Sequence, residues 1–470
     1  YANAANTYCS EDAAVHGPFG VLWHGNPGPR KRIDRHARGP LPLVVNGIML
    51  LTGYDLVMAH DVYNGRKYWE RWIPGTTRQD LPAGTSNLAA DERFFYVVAK
   101  NQECLQLDRL TGETRNRFRA PVPAENAGHA YWGWIAREGG LLLGSRSRHD
   151  ERRRQASHQF ADGLFAIAVD KGNTAWTYQG AGIQHDGIAV AEGKVFFVDR
   201  NLTDAEKSAA IKNTVKDDKT KDRVVDRRGK PINPDLGKLV AVNLRDGGVA
   251  WQKPFNFSDV TVDDRVIGQR SGVICMVKDN IVVAAGIGSI GHPYQEFKKG
   301  EFARRAMYAF DATTGKLLWG GRRNHRKRPI IVGDYIYAEP GAWNLKTGAP
   351  RLVTNPLTGE KKPLNFLRGY SGCDHLVASA NCIFGNSGSG GFAHYNLDEQ
   401  TGYTPIGGMQ LACNTGAVPA NGLFVAPEGR SGCVCGFGIQ TSLVLYPRQK
   451  ASAWGFSSRG ELLEKLTPVK

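Results

Sequence analysis

One short unit recurs from end to end of this chain, and the recurrence constrains the fold more than any other feature. Its clearest copy is AMYAFDATTGKLLWGG, beginning at Ala306. An alternating strand through Met307 and Phe310 leads into Asp-x-x-Thr-Gly, and a second strand ends at Trp319. The Asp311 side chain can bond backbone two residues on, and Gly315 supplies the positive φ of a tight turn. Period-two alternation on both arms makes the unit a β-hairpin with one buried face. Further copies centre on Asp61, Gly65 and Trp69, on Asp108 and Gly112, on Asp170, Gly172 and Trp176, and on Asn243, Gly247 and Trp251. Asn344 with Gly348 is a weaker copy, Asn396 marks a degenerate one, and Ser442 to Pro447 keeps only the strand.

A second signal alternates with the first: an apolar strand, a two-residue turn and another apolar strand. It occurs eight times, from LPLVVNGIMLL at Leu41 to GAVPANGLFVA at Gly416. One copy of each signal makes four strands, which is one propeller blade. The chain is therefore all-β, an eight-bladed β-propeller of four-stranded antiparallel blades. The turns at Asn46 and Asn421 bracket seven steps of about 54 residues each, longer than the roughly 40–45 of a compact blade. Two charge-rich insertions, 145–162 and 199–237, account for the excess and are expected as surface loops, with a short helix near Asp204 to Lys212. The N-terminal stretch, Tyr1 to His24, is expected to supply the outer strand of blade eight, with the tail after Trp454 beside it. Closure of the ring leaves residues 1–470 as a single propeller with no separate second domain.

The formal net charge of +15 suits an acidic partner, either a protein or an acidic polymer, and equally a basic surface with no special partner. Nucleic acid is disfavoured because no binding motif accompanies the charge. No run of 18 apolar residues suggests a membrane-spanning helix. The first residues have no signal-peptide pattern, so a leader, if there was one, is expected to have been removed. Eight cysteines are too few for a disulfide scaffold, but five (Cys373, Cys382, Cys413, Cys433 and Cys435) fall in one tract.

The Asp-x-x-Thr-Gly-x-x-x-Trp hairpin resembles the tryptophan-docking repeat of the pyrroloquinoline-quinone (PQQ) family of eight-bladed propellers. YANAANTYCS followed by GVLW (Gly20 to Trp23) is similar to the start of that family's enzymes. The last third is most similar to secreted bacterial PQQ-like repeat proteins, and outer-membrane assembly lipoproteins are also alike. The resemblance covers nearly the whole chain and implies the architecture more firmly than any chemistry. It implies a secreted or periplasmic location and, for many relatives, a place in a longer chain or larger assembly. The departures weigh against a working quinoprotein. Family dehydrogenases carry two adjacent cysteines beside the quinone, whereas Val434 separates Cys433 from Cys435 here. Their calcium ligands have no matching motif, and no Cys-x-x-Cys-His haem attachment occurs.

In a propeller the first strand of each blade faces the axis, so the loops entering those strands share one funnel. They carry Asp34, His36, His129, Trp132, His185, Asp186, His325, Arg328, Asp374 and His375. Imidazole and carboxylate groups so gathered suit a metal or substrate site; the plainer reading is a hydrated polar channel mouth. Trp132 and its neighbour Trp134 suit stacking on a sugar or planar cofactor, or simply blade packing. Cys373, Cys413, Cys433 and Cys435 belong on the funnel face and Cys382 near the opposite turn. Structural disulfides, buried free thiols and a thiolate site with His375 as an added ligand all fit. Cys104 and Cys275 sit in strands as packing residues. These readings favour a non-catalytic binding or scaffold propeller with no cofactor. The alternative is a divergent quinoprotein or metal-dependent oxidoreductase using PQQ, calcium or a Cys/His-bound transition metal in the funnel.

Overall fold

The computed structural model describes residues 3–33, 40–77, 85–100, 102–122, 131–147, 160–213, 234–261, 272–286, 305–325, 327–355, 357–366, 375–387, 391–399, 402–407, 411, 416–428 and 440–448. The strands assemble in chain order into eight antiparallel blades. Their innermost strands are Leu43–Val45, Leu88–Ala90, Tyr131–Glu138, Ala189–Ala191, Val273–Lys278, Ile330–Val332, Val377–Ala378 and Val418–Ala420. Seven blades have four strands. In blade six the fourth position is held by a single bridge between Trp343 and Pro350, because proline has no N–H to extend the ladder. A separate two-stranded hairpin follows, Leu352–Thr354 with Lys361–Pro363. Its turn repeats the hairpin chemistry: Asn355 Oδ1 accepts from the backbone of Leu357 and Thr358.

Closure is made as expected at the N-terminus. Phe19–Gly25 pairs antiparallel with Ser442–Pro447 and becomes the outer strand of blade eight. The core is a set of apolar layers between neighbouring blades. Leu50, Val57 and Trp69 of blade one, for example, pack against Phe95, Val97 and Leu107 of blade two. Each layer removes from water the faces that period-two alternation made apolar.

The repeated tryptophan ties one blade to the next at the rim. The indole Nε1 of Trp69, Trp176, Trp251 and Trp319 donates to the carbonyl of Arg109, Leu244, Ala312 and Leu345, at 2.8–3.0 Å. Each acceptor directly follows the Asp or Asn of the next hairpin turn. Trp23 of the closing strand does the same to Val62 of blade one at 2.7 Å. The indoles lie over the turn glycines: a Cβ at Gly112, Gly247, Gly315 or Gly348 would sit 2.6–2.7 Å from the docking ring. These glycines also have φ near +70°, so they serve both the turn and the dock. Blade two carries Asn116 where blades one, three, four and five carry tryptophan, and a Cβ at Gly172 of blade three would meet nothing within 4 Å.

The helix Asp204–Lys212 forms where expected, with a capping box between Thr203 and Glu206. The insertions are shorter than composition suggests. Ser145 and Arg146 continue the strand Leu141–Ser147, and Asp162 belongs to the strand Phe160–Ala168. Arg146 and Asp162 are buried together at 2.7 Å, which is why charge alone misplaces the boundary. Likewise Asp199 ends one strand and Gly237 lies in the next.

Candidate functional site

The N-terminal residues decide what the channel is. Residues 3–12 cross its waist and bond to one innermost strand after another. The N–H groups of Val190, Val277, Ile331 and Ala378, on blades four to seven, donate to the carbonyls of Ala4, Ala5, Thr7 and Tyr8. The N–H of Ser10 then donates to the Ala378 carbonyl, and Asp12 Oδ2 accepts from Gly422 N of blade eight. Glu11 pairs with Lys278. Small side chains at Ala4 and Ala5 let the strap lie close to the strands. Asn6 and Tyr8 take left-handed conformations, φ 63° and 59°, to turn it along the arc.

Above this strap sit several of the expected funnel residues. Asn6 Nδ2 donates to the carbonyls of Asp186 (3.0 Å) and Cys275 (2.9 Å). Arg328 Nη2 donates to Asn6 Oδ1 (2.6 Å) and Asn6 O (3.1 Å). The guanidinium lies 4.0 Å from the Tyr8 ring centroid, a buried cation–π contact. Tyr8 in turn meets His375 edge-on at 6.3 Å. Gln184 Nε2 donates to Asp186 Oδ1 at 2.7 Å. His185 Nδ1 lies 2.7 Å from Ser145 Oγ, which also accepts the N–H of Trp134. Gly133 leaves room for this pair, since a Cβ there would be 2.3 Å from the imidazole.

Burial governs the charges. It raises the Asp186 carboxyl above its ordinary range, against the pull of the Gln184 hydrogen bond and the Arg328 charge. It also raises the Tyr8 phenol and lowers the Arg328 guanidinium, each opposed by the other. His325 stands apart, bonded to the Arg323 carbonyl at 2.6 Å. Burial, helped by the Arg305 charge, drops it to about 3. The structure thus brings Asp186, Arg328 and His375 together around Asn6 and Tyr8, sets His185 beside Ser145, and holds His325 elsewhere.

Trp132 is buried, edge-on to Phe165 at 4.8 Å, and Trp134 joins the layer between blades three and four. Both are packing residues. Asp34, His36, His129, Asp374, Cys373, Cys413, Cys433 and Cys435 lie outside the described residues. Cys382 is a free thiol, so of the readings open for it the disulfide does not hold. It is buried in a blade-seven strand, and burial pushes it up to about 11. Cys9, Cys104 and Cys275 are likewise free and buried. Among the described residues no group of three His, Cys, Asp or Glu side chains is placed to hold a metal. Sequence reasoning missed Asn6 and Tyr8, the two residues on which the axial cluster is built. Their left-handed backbone has no signature in residue type beyond the asparagine.

No helix among the described residues is long and apolar enough to cross a membrane. Over 150 residues the chain is 32% identical to the outer membrane protein assembly factor BamB of Alkalilimnicola ehrlichii, covering 27% of this chain and 36% of that protein. The match thus spans just over a third of the length of that curated relative. The fold is similar to quinohemoprotein alcohol dehydrogenase from Comamonas testosteroni (TM-score 0.54, 12% identity, 96% of this chain and 81% of that one). It is also similar to the computationally designed Ika8 protein (TM-score 0.51, 10% identity, 91% and 100%). At these identities the two structures speak to the fold alone. The family model described as outer membrane protein assembly factor BamB matches residues 20–351, and the chain belongs to this family of PQQ-like repeat propellers.

Proposed function

We propose that this chain is a non-catalytic binding propeller that serves a protein assembly of the bacterial outer membrane, working on the periplasmic side. Membership of the assembly-factor family across residues 20–351 carries this reading. The axial geometry supports it, because the chain's own residues 3–12 take the channel waist on blades four to seven. The partner is a protein with an acidic docking face, in keeping with the net charge of +15. One observation favours the oxidoreductase alternative: Arg328 keeps Nε and Nη1 without partners among the described residues, donors suited to an anionic ligand.

The two readings separate in one experiment with two arms. Loss of the gene in the source organism should lower the amount of folded β-barrel protein in its outer membrane. The purified chain, titrated with PQQ and calcium, should show no saturable change in the quinone absorbance. Normal barrel levels together with stoichiometric quinone binding would overturn the scaffold reading.

A further inference from the structure

All eight innermost strands share one register against their neighbours. One residue before the pair that closes the inner turn, the equivalent positions are Val44, Ala90, Arg137, Val190, Val277, Ile331, Ala378 and Pro419. In an antiparallel edge strand, alternate residues turn both backbone groups away from the paired strand. These positions turn theirs toward the axis, as the bonds from Val190, Val277, Ile331 and Ala378 to the strap demonstrate. Pro419 has no N–H to offer. That leaves Val44, Ala90 and Arg137, on three adjacent blades, with no backbone partner among the described residues.

A cavity of about 560 Å³ lies at this place, lined by all three residues on one side and by Cys9 to Asp12 of the strap on the other. That volume is in the usual range for a ligand site. Its charge is acidic. Asp12 and Glu138 set it, since the third carboxylate in the lining, Glu11, is paired with Lys278 and the Arg137 guanidinium is turned away to Asp91 and Tyr96. Converging N–H groups seek oxygen acceptors, but the carboxylates repel free anions. Carbonyl oxygens on a positively charged chain satisfy both conditions. The strap shows how a peptide meets this ring: five residues, Ala4 to Tyr8, make four successive axial bonds.

We propose that the channel beside blades one to three binds a short, extended, basic peptide segment of a partner protein. Its carbonyls accept from Val44, Ala90 and Arg137, continuing the arc begun by residues 4–8. This site is separate from the assembly reading and stands or falls without it.

The test is titration of the full chain with the peptide Ac-Ala-Lys-Ala-Lys-NH2, followed by calorimetry and by backbone amide shifts. Saturable binding is expected, with the largest shifts at Val44, Ala90 and Arg137. The variant Val44→Pro/Ala90→Pro removes two donors in a way that Pro419 shows the fold accepts, and should bind at least tenfold more weakly. Should that variant fail to fold, Glu138→Lys at the exposed rim of the cavity should weaken binding instead, and Ac-Ala-Glu-Ala-Glu-NH2 should bind less well than the lysine peptide. No saturation at millimolar peptide, shifts confined to other blades, or preferred binding of the glutamate peptide or of acetate would overturn the proposal.

Discussion

The rim and the axis of this propeller are closed by different means. At the rim, a repeated tryptophan bonds to the carbonyl just past the next blade's turn residue and covers its glycine, five times among the described residues. At the axis, one non-repeating strap bonds blades four to seven in turn and leaves blades one to three open. Repetition makes the rim tolerant, because each dock is one of several. The axial strap has no second copy, so its polar cluster is where a single change should do most damage.

The largest effect is expected at Arg328. Arg328→Ala leaves Asp186 buried without its cation and strips Asn6 and Tyr8 of their partner. Removing one member of such a buried set costs about 3–5 kcal/mol, read from denaturant midpoints. A loss under about 1 kcal/mol would put the axis on the same footing as the rim.

The rim has its own internal control. Gly247→Ala and Gly172→Ala both place a Cβ at φ +71°, with the same backbone strain of about 1–2 kcal/mol. Only at Gly247 does the new carbon meet a docked indole, 2.7 Å from Trp176. Gly247→Ala should therefore be worse by a further amount of about 1–3 kcal/mol, the usual cost of overpacking. Equal losses would mean that the dock contributes nothing.

Mild acid should reach two buried histidines before the carboxylates of the rim turns. His325, held at about 3, and His394, held at about 4 by burial, are neutral in the folded chain. Their unfolded values are near 6.5, so the unfolded state binds more protons as pH falls below that value. Stability present above pH 6.5 is lost on the way down to about 4, by about 1.4 kcal/mol per pH unit for each histidine. The turn carboxylate of Asp311 is held below its ordinary range, mainly by the Thr314 hydroxyl and N–H. Its contribution survives until the carboxylate range and is lost as pH falls through its folded value. His325→Asn should flatten the melting temperature between pH 6.5 and 4; an unchanged slope would contradict this assignment.

The smallest effect is expected from Asn116→Trp, which installs the missing dock opposite Gly172. The gain should be under about 1 kcal/mol, since the asparagine's bond to Gln106 is given up. A clear destabilisation would show that the interface between blades two and three is shaped against a dock.

The sequence was informative where structure repeats. Asp311, Gly315 and Trp319 state a turn and a dock in three residue types, and copies of that statement count blades. Helix Asp204–Lys212 was equally plain, because alanine-rich, charged helical sequence interrupts a β pattern. The hairpin at Asn355 and Gly359 was missed although its turn chemistry is the same: its arms are short and exposed, so they carry no apolar period. Residues 3–12 were illegible for a related reason. Their contacts are made through backbone groups, which every residue possesses, and by small or polar side chains that any loop could carry. The funnel residues Asp186, Arg328 and His375 could be placed by topology, but their common partner could not.

Amide hydrogen exchange of the free chain, resolved by residue, tests the account of the axis most directly. Val190, Val277, Ile331 and Ala378 should exchange slowly, because their N–H groups are bonded to the strap. Val44, Ala90 and Arg137, equivalent in register but facing the cavity, should exchange much faster. Equal protection at all seven positions would contradict the division of the channel into a strapped half and an open half.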